Sequence, residues 1–171
     1  MNRALSLFLT GLLCLCKVAP GASPLAWEKW PAIPDEHGFA GPFAGVSSGT
    51  LVVAGGANFP NSYPWEGGSK VWHDRIFLLP EGSKEWTVSS LKLPRALAYG
   101  VSVSLPDQNN SIVMLGGSDG QNKPVADVTI LTLKRVDNDL KVKLWELPSL
   151  PVALAESSGL VVDNKIYLFS G

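Results

Sequence analysis

A diglycine closes an apolar strand twice in this chain, and a third strand of the same kind reaches glycine at its last residue. Thr50-Leu-Val-Val-Ala54 runs into Gly55-Gly56, Ser111-Ile-Val-Met-Leu115 into Gly116-Gly117, and Lys165-Ile-Tyr-Leu-Phe-Ser170 into Gly171. Gly56 and Gly117 lie 61 residues apart, and Gly116 and Gly171 lie 55 apart. A tryptophan precedes each strand (Trp30, Trp86 and Trp145) and is followed by a turn ending in proline: Ala32-Ile33-Pro34, Lys92-Leu93-Pro94 and Ser149-Leu150-Pro151. Self-similarity on this scale means repeated units, none of which buries its apolar faces without its neighbours.

Each unit shows the same order of short strands. The first has Phe43 to Ser47, Thr50 to Ala54, Arg75 to Leu79 and Glu85 to Val88. The second has Tyr99 to Val103, Ile112 to Leu115, Asp127 to Leu133 and Val142 to Glu146. The third opens with Ser157 to Val162 and Ile166 to Phe169. Paired apolar runs joined by Asn- or Asp-bearing turns are hairpin signals, and no long window has helical period. The fold class is all-β. Four strands in about 60 residues fit a kelch-type β-propeller blade. The expected divisions are a blade over 27–88, a second over 89–146 and the start of a further blade over 147–171, within a partial propeller of residues 23–171. About two and a half four-stranded blades are present, so the chain reads as an N-terminal piece of a larger ring, inactive by itself. Trp86 and Trp145 are expected to pack their rings between blades.

The first residues read as a targeting segment. Arg3 gives a positive start, an apolar run extends from Ala4 to Cys16, and Ala19-Pro-Gly-Ala-Ser23 supplies small residues for cleavage near Gly21 or Ala22. This run of thirteen residues, broken only by Ser6, Thr10 and Gly11, falls short of the roughly 20 that span a bilayer, so a signal peptide over about 1–22 and a periplasmic or secreted location are expected, with no membrane insertion after cleavage. Both cysteines, Cys14 and Cys16, lie within this segment, which leaves no disulfide and no thiolate chemistry in the remainder. Without Arg3 and Lys17 the chain carries twelve basic and fifteen acidic residues, a net charge of −3 with no run of one sign. That balance argues against nucleic acid as a partner. With His37 and His73 as the only histidines, no metal site of ordinary ligand spacing is expected.

Inequality between the loops carries the functional hint. After the diglycine the second unit uses nine residues, Ser118 to Ala126, before its next strand; the first uses eighteen, Ala57 to Asp74. That loop holds Phe59, Tyr63, Trp65 and Trp72 beside Glu66, Lys70 and His73, a mixture suited to a sugar held by ring stacking and hydrogen bonds. Glu66 is the acid–base candidate, with a solvated loop carboxylate as its plain alternative. Arg95 could face the axis and meet a substrate carboxylate, or it could form a salt bridge between blades. Asn58 and Phe59 follow the diglycine, where propeller loops meet the central funnel, and are candidate substrate contacts.

Gly38-Phe-Ala-Gly-Pro-Phe-Ala-Gly-Val46, Ala54-Gly-Gly-Ala-Asn-Phe59 and Pro94-Arg-Ala-Leu-Ala-Tyr-Gly-Val-Ser102 resemble the kelch-type sialic acid mutarotases, also called N-acetylneuraminate epimerases. The likeness runs from about Trp27 to Gly171. Such segments lie toward the C-terminus of the family's better-known six-bladed members, so the chain resembles a cyclically permuted branch. The resemblance implies an extracytoplasmic isomerase that interconverts the α and β anomers of N-acetylneuraminate without a cofactor, acting on a small sugar as part of a complete propeller. The alternative is a non-catalytic propeller that binds a glycan or protein through its loop face. The family's catalytic pair is a glutamate and an arginine six residues later, just after a blade strand. Here Gly56 is followed by Ala-Asn-Phe and Gly117 by Ser-Asp-Gly, so the pair is assigned to no residue of this chain and is expected beyond Gly171.

Overall fold

The computed structural model describes residues 26–105, 108–137 and 139–169; the segment read as a signal peptide lies outside them. Twelve strands follow one another: β1 (Phe43–Ser47), β2 (Thr50–Ala54), β3 (Ala57–Asn58), β4 (Val71–Trp72), β5 (Ile76–Pro80), β6 (Thr87–Val88), β7 (Val101–Leu105), β8 (Ser111–Leu115), β9 (Val128–Val136), β10 (Asp139–Leu147), β11 (Ser158–Val162) and β12 (Lys165–Phe169). They form two four-stranded antiparallel sheets, β1-β2-β5-β6 and β7-β8-β9-β10, with β11–β12 as a hairpin and β3–β4 as a small ribbon. The architecture is that of a kelch-type β-propeller, seen here as two blades and the opening hairpin of a third.

Strand alternation builds the core. Successive side chains of a strand point to opposite faces, so β8, buried throughout, serves two cores at once. Ile112 and Met114 join Phe43, Val52, Ile76 and Leu78 between the first and second sheets. Val113 and Leu115 join Val101, Val103 and Val128, against which Ile166 and Leu168 of β12 pack. The sheets thus stack face to face around an axis, with β1, β7 and β11 as neighbouring inner strands. Two serines sew the inner seam. Ser104 Oγ accepts from the amide of Val46 at 2.9 Å, and Ser102 Oγ accepts from the amide of Ala44 at 3.0 Å and donates to its carbonyl at 2.8 Å. Backbone groups on the free edge of β1 are thereby satisfied without another strand.

The diglycines do the same work in both blades. Gly55 and Gly116 have φ of +67° and +62°, and a Cβ added at either would collide with the carbonyl of Leu97 or Leu154 in the link to the following blade. Gly56 donates to Leu97 O and Gly117 to Leu154 O, each at 2.8 Å. Only glycine combines this left-handed backbone with so close an approach.

The two tryptophans expected between blades are held in different ways. Trp86 is half-buried and its Nε1 donates to Pro31 O at 3.0 Å, fastening the outermost strand to the N-terminal segment. Trp145 is 48 % exposed and stands opposite Ile130, which packs on the second core. Leu140, Val142 and Leu144 of β10 face the first core, and the same alternation turns Trp145 to the opposite face.

Candidate functional site

Three segments meet on the face where the inner strands begin: the chain entering β1, the loop between β2 and β5, and the chain entering β7. The long loop is not structureless. Ala57 pairs with Trp72 and Asn58 with Val71, making the β3–β4 ribbon, and a one-turn 3-10 helix at Pro64–Glu66 turns its tip. Between the three segments lies a cleft of about 430 Å³, within the usual range for a small-molecule site. Glu36 and His37 line it from the first segment, Asn58, Phe59, Tyr63 and Lys70 from the second, and Tyr99 from the third.

One wall is held by a chain of polar contacts. Arg75 Nη2 donates to Asp35 Oδ2 at 2.8 Å. Asn58 Nδ2 donates to Asp35 Oδ1 at 3.1 Å and to Gly38 O at 2.9 Å, and Asn58 Oδ1 lies 2.8 Å from His73 Nε2. Because both Asn58 donations go to oxygens that can only accept, its Oδ1 must face His73, and His73 Nε2 must carry the proton. Phe39 packs edge-on to His73 with ring centroids 5.0 Å apart, and the Arg75 guanidinium lies 5.4 Å from the Phe39 ring centre. Burial, and next the Arg75 charge, hold the His73 imidazole below its ordinary pKa, against the opposing pull of Asp35 and Asp74. The neutral form fits its place in this network.

The other wall presents a cation. Lys70 Nζ donates to Tyr99 Oη at 3.2 Å and stands 5.0 Å from the Tyr99 ring centre, 5.5 Å from that of Trp72 and 5.6 Å from that of Phe59. The Trp72 indole is oriented in turn by donating from Nε1 to Ser118 Oγ at 3.3 Å. Tyr63, which lines the cleft, stacks on Trp65 at 4.7 Å with their planes 9° apart.

The residues singled out from sequence fall in different places. Asn58 and Phe59 line the cleft. Glu66 caps the loop tip, its Oε2 accepting from the amide of Tyr63 at 3.1 Å, and does not line the cleft. Arg95 is paired with Asp127, Nε to Oδ2 at 2.9 Å and Nη2 to Oδ1 at 3.4 Å, in a separate surface depression with Pro94 and Glu146. That fork ties the link between the sheets to the residue preceding β9. Glu36, His37 and Tyr99 were not singled out by sequence; their placement at the cleft follows from the folding of three distant segments.

The fold and cleft define a kelch-type propeller with a polar, ring-lined loop-face site, in a class whose members share architecture and differ by such sites. The family model for N-acetylneuraminate epimerase matches residues 17–142, and the chain belongs to that family. N-acetylneuraminate epimerase of Salmonella enteritidis PT4 (strain P125109) is 36 % identical over 134 residues, covering 70 % of this chain and 33 % of that protein. The enzyme of Yersinia pestis (strain Pestoides F) is 35 % identical over 123 residues, 63 % of this chain and 30 % of that one. A solved structure of YjhT superposes with a TM-score of 0.59 at 33 % identity, covering 72 % of this chain and 36 % of that chain. The chain spans about a third of the length of the curated relatives it matches.

Proposed function

We propose that the intact protein is a sugar mutarotase that interconverts the α and β anomers of N-acetylneuraminate, and that the cleft of Glu36, Asn58, Lys70 and Tyr99 forms part of its site. The carrying observation is the match of the epimerase family model across both complete blades up to β10. The cleft supports it with rings, amide groups, a carboxylate and a cation gathered in a volume suited to one sugar. Opening a cyclic 2-keto sugar requires a base to take the proton of the anomeric hydroxyl as the ring C–O bond breaks, and an acid to protonate the ring oxygen. Closure on the other face of the carbonyl reverses both transfers and gives the other anomer. Glu36 and His37 are the cleft's candidates for one of these exchanges, and Asn58, with its amide spent on Asp35, Gly38 and His73, holds the wall against which the sugar would lie. Export through the N-terminal segment is part of the same reading, supported by Arg3 and the apolar run from Ala4 to Cys16.

The test is proton NMR on the freshly released α anomer with the intact protein. Faster equilibration than in buffer is expected; an unchanged rate would leave only a binding propeller. N-terminal sequencing of the protein isolated from the periplasm or medium is expected to begin near Ala22, and a chain still beginning at Met1 would contradict export.

A further inference from the structure

Lys70 is the feature the proposed chemistry leaves without a task. Among the described residues its ammonium has no carboxylate within ion-pair distance, although it lines the cleft. One hydrogen of Nζ goes to Tyr99 Oη, leaving two donors. Three ring faces surround it at 5.0–5.6 Å. Rings stabilise a cation in place and keep it in position without neutralising it. They also exclude water, which strengthens whatever the charge meets next.

The cage is built with care. Tyr99 holds φ of +61°, a left-handed backbone that strains a non-glycine residue. Two hydrogen bonds keep it there, from its amide to Gly41 O and from the amide of Glu156 to its carbonyl, each 2.7 Å. The strain sets the phenol against Lys70. Trp72 is fixed by Ser118 and Phe59 by following the first ribbon strand. A cation merely resting on a surface would need none of this, and the geometry of a fixed, caged, unneutralised ammonium in a cleft is that of an anion receptor.

We infer that Lys70 binds the carboxylate of the sugar and sets the site's preference for acidic over neutral sugars. The inference rests on the mutarotase reading for the identity of the sugar, and on the cage alone for the recognition of its carboxylate. Glu36 lines the same cleft and would repel a carboxylate bound beside it, so the acid group lies at the Lys70 end and the sugar hydroxyls toward Glu36 and Asn58.

The experiment compares the intact protein with its Lys70→Met and Lys70→Arg variants on N-acetylneuraminate and on its methyl ester, which lacks the charge. A charged hydrogen-bond pair lost to methionine predicts a fall of about 10- to 100-fold in kcat/KM for the acid. The fall should be carried by KM, with little change for the ester and partial rescue by arginine. Equal losses on both substrates, or no loss on the acid, would overturn the assignment. If the wild-type protein accelerates neither anomerisation, the mutarotase reading fails on its own. Saturation-transfer NMR with N-acetylneuraminate then decides the Lys70 assignment: binding to the wild type and not to Lys70→Met upholds it, and equal binding or none refutes it.

Discussion

The amide of Tyr99 donates to the carbonyl of Gly41 at 2.7 Å, and both residues have left-handed backbone, with φ of +61° and +57°. Each stands two residues before an inner strand, β1 or β7. The step recurs: Glu156, two residues before β11, has φ of +53° and donates to Tyr99 O at 2.7 Å. Among the described residues one backbone hydrogen bond thus links each of these three entry points to the next, and Tyr99, the middle one, presents its side chain to the cleft. At the first step only glycine is possible, because the Tyr99 ring occupies the space a Cβ would take.

Gly41→Ala should therefore be costly out of proportion to one methyl group. Left-handed strain and the collision with Tyr99 together predict a loss of about 2–3 kcal/mol, read as a lower denaturant midpoint at unchanged slope. Activity should fall further than stability, since a displaced Tyr99 dismantles the Lys70 cage. A variant as stable and active as the wild type would contradict the stepwise hydrogen bonding.

The state of His73 makes stability depend on pH. Its folded pKa is lowered by burial and by Arg75, so between that lowered value and the unfolded value of about 6.5 the unfolded chain binds more protons than the folded one. Stability should rise with pH through that window and be lost on acidification below about 6.5. Urea midpoints between pH 5 and 7.5 check this, and His73→Gln, which keeps a donor for Asn58 Oδ1 without titrating, should flatten that part of the profile. A profile identical to wild type would show that His73 is not its source.

Asn58 joins three partners from a position 8 % exposed. Asn58→Ala leaves Gly38 O, one Asp35 oxygen and the His73 ring short of a partner, and is expected to cost about 2–4 kcal/mol. Asn58→Asp, which brings a second carboxylate against Asp35, should be no better tolerated. Thermal melts of the two variants test the network, and a near-neutral alanine variant would refute it.

Glu36→Gln separates chemistry from binding. If Glu36 carries one of the proton transfers, its loss predicts a fall in kcat of about 100-fold or more, with KM little changed. Arg95→Ala serves as the contrast. Arg95 and Asp127 are partly exposed, so losing their pair should cost at most about 1 kcal/mol and leave anomerisation at the wild-type rate. A large loss of activity in Arg95→Ala would return that residue to the site.

Much of this fold was legible in the sequence. Thr50–Ala54 and Ser111–Leu115 are apolar, β-branched and stopped by glycine, so local propensity, burial and chain direction agree. The ribbon escaped notice because two residues on each side, separated by twelve others, leave no periodicity to detect. Trp145 was expected between blades, and the period of two that sends Leu144 to the first core puts it on the same face as Ile130, which packs on the second core with β12. The site was legible only in part. Asn58 and Phe59 were singled out because the diglycine marks where the chain reaches the funnel, and both line the cleft. Glu66 drew attention through its aromatic neighbours, whereas its carboxylate closes its own turn. Glu36, Lys70 and Tyr99 come together from three segments whose meeting depends on blade stacking. The signal that could have found Tyr99 is positional: a large residue standing where the preceding unit has Gly41.

The most direct measurement is a crystal structure of the intact protein with N-acetylneuraminate bound. The sugar is expected in the cleft between the two complete blades, its carboxylate within hydrogen-bond distance of Lys70 Nζ and its ring beside Asn58 and Tyr99. A sugar bound elsewhere on the propeller, with Lys70 untouched in its cage, would contradict that placement.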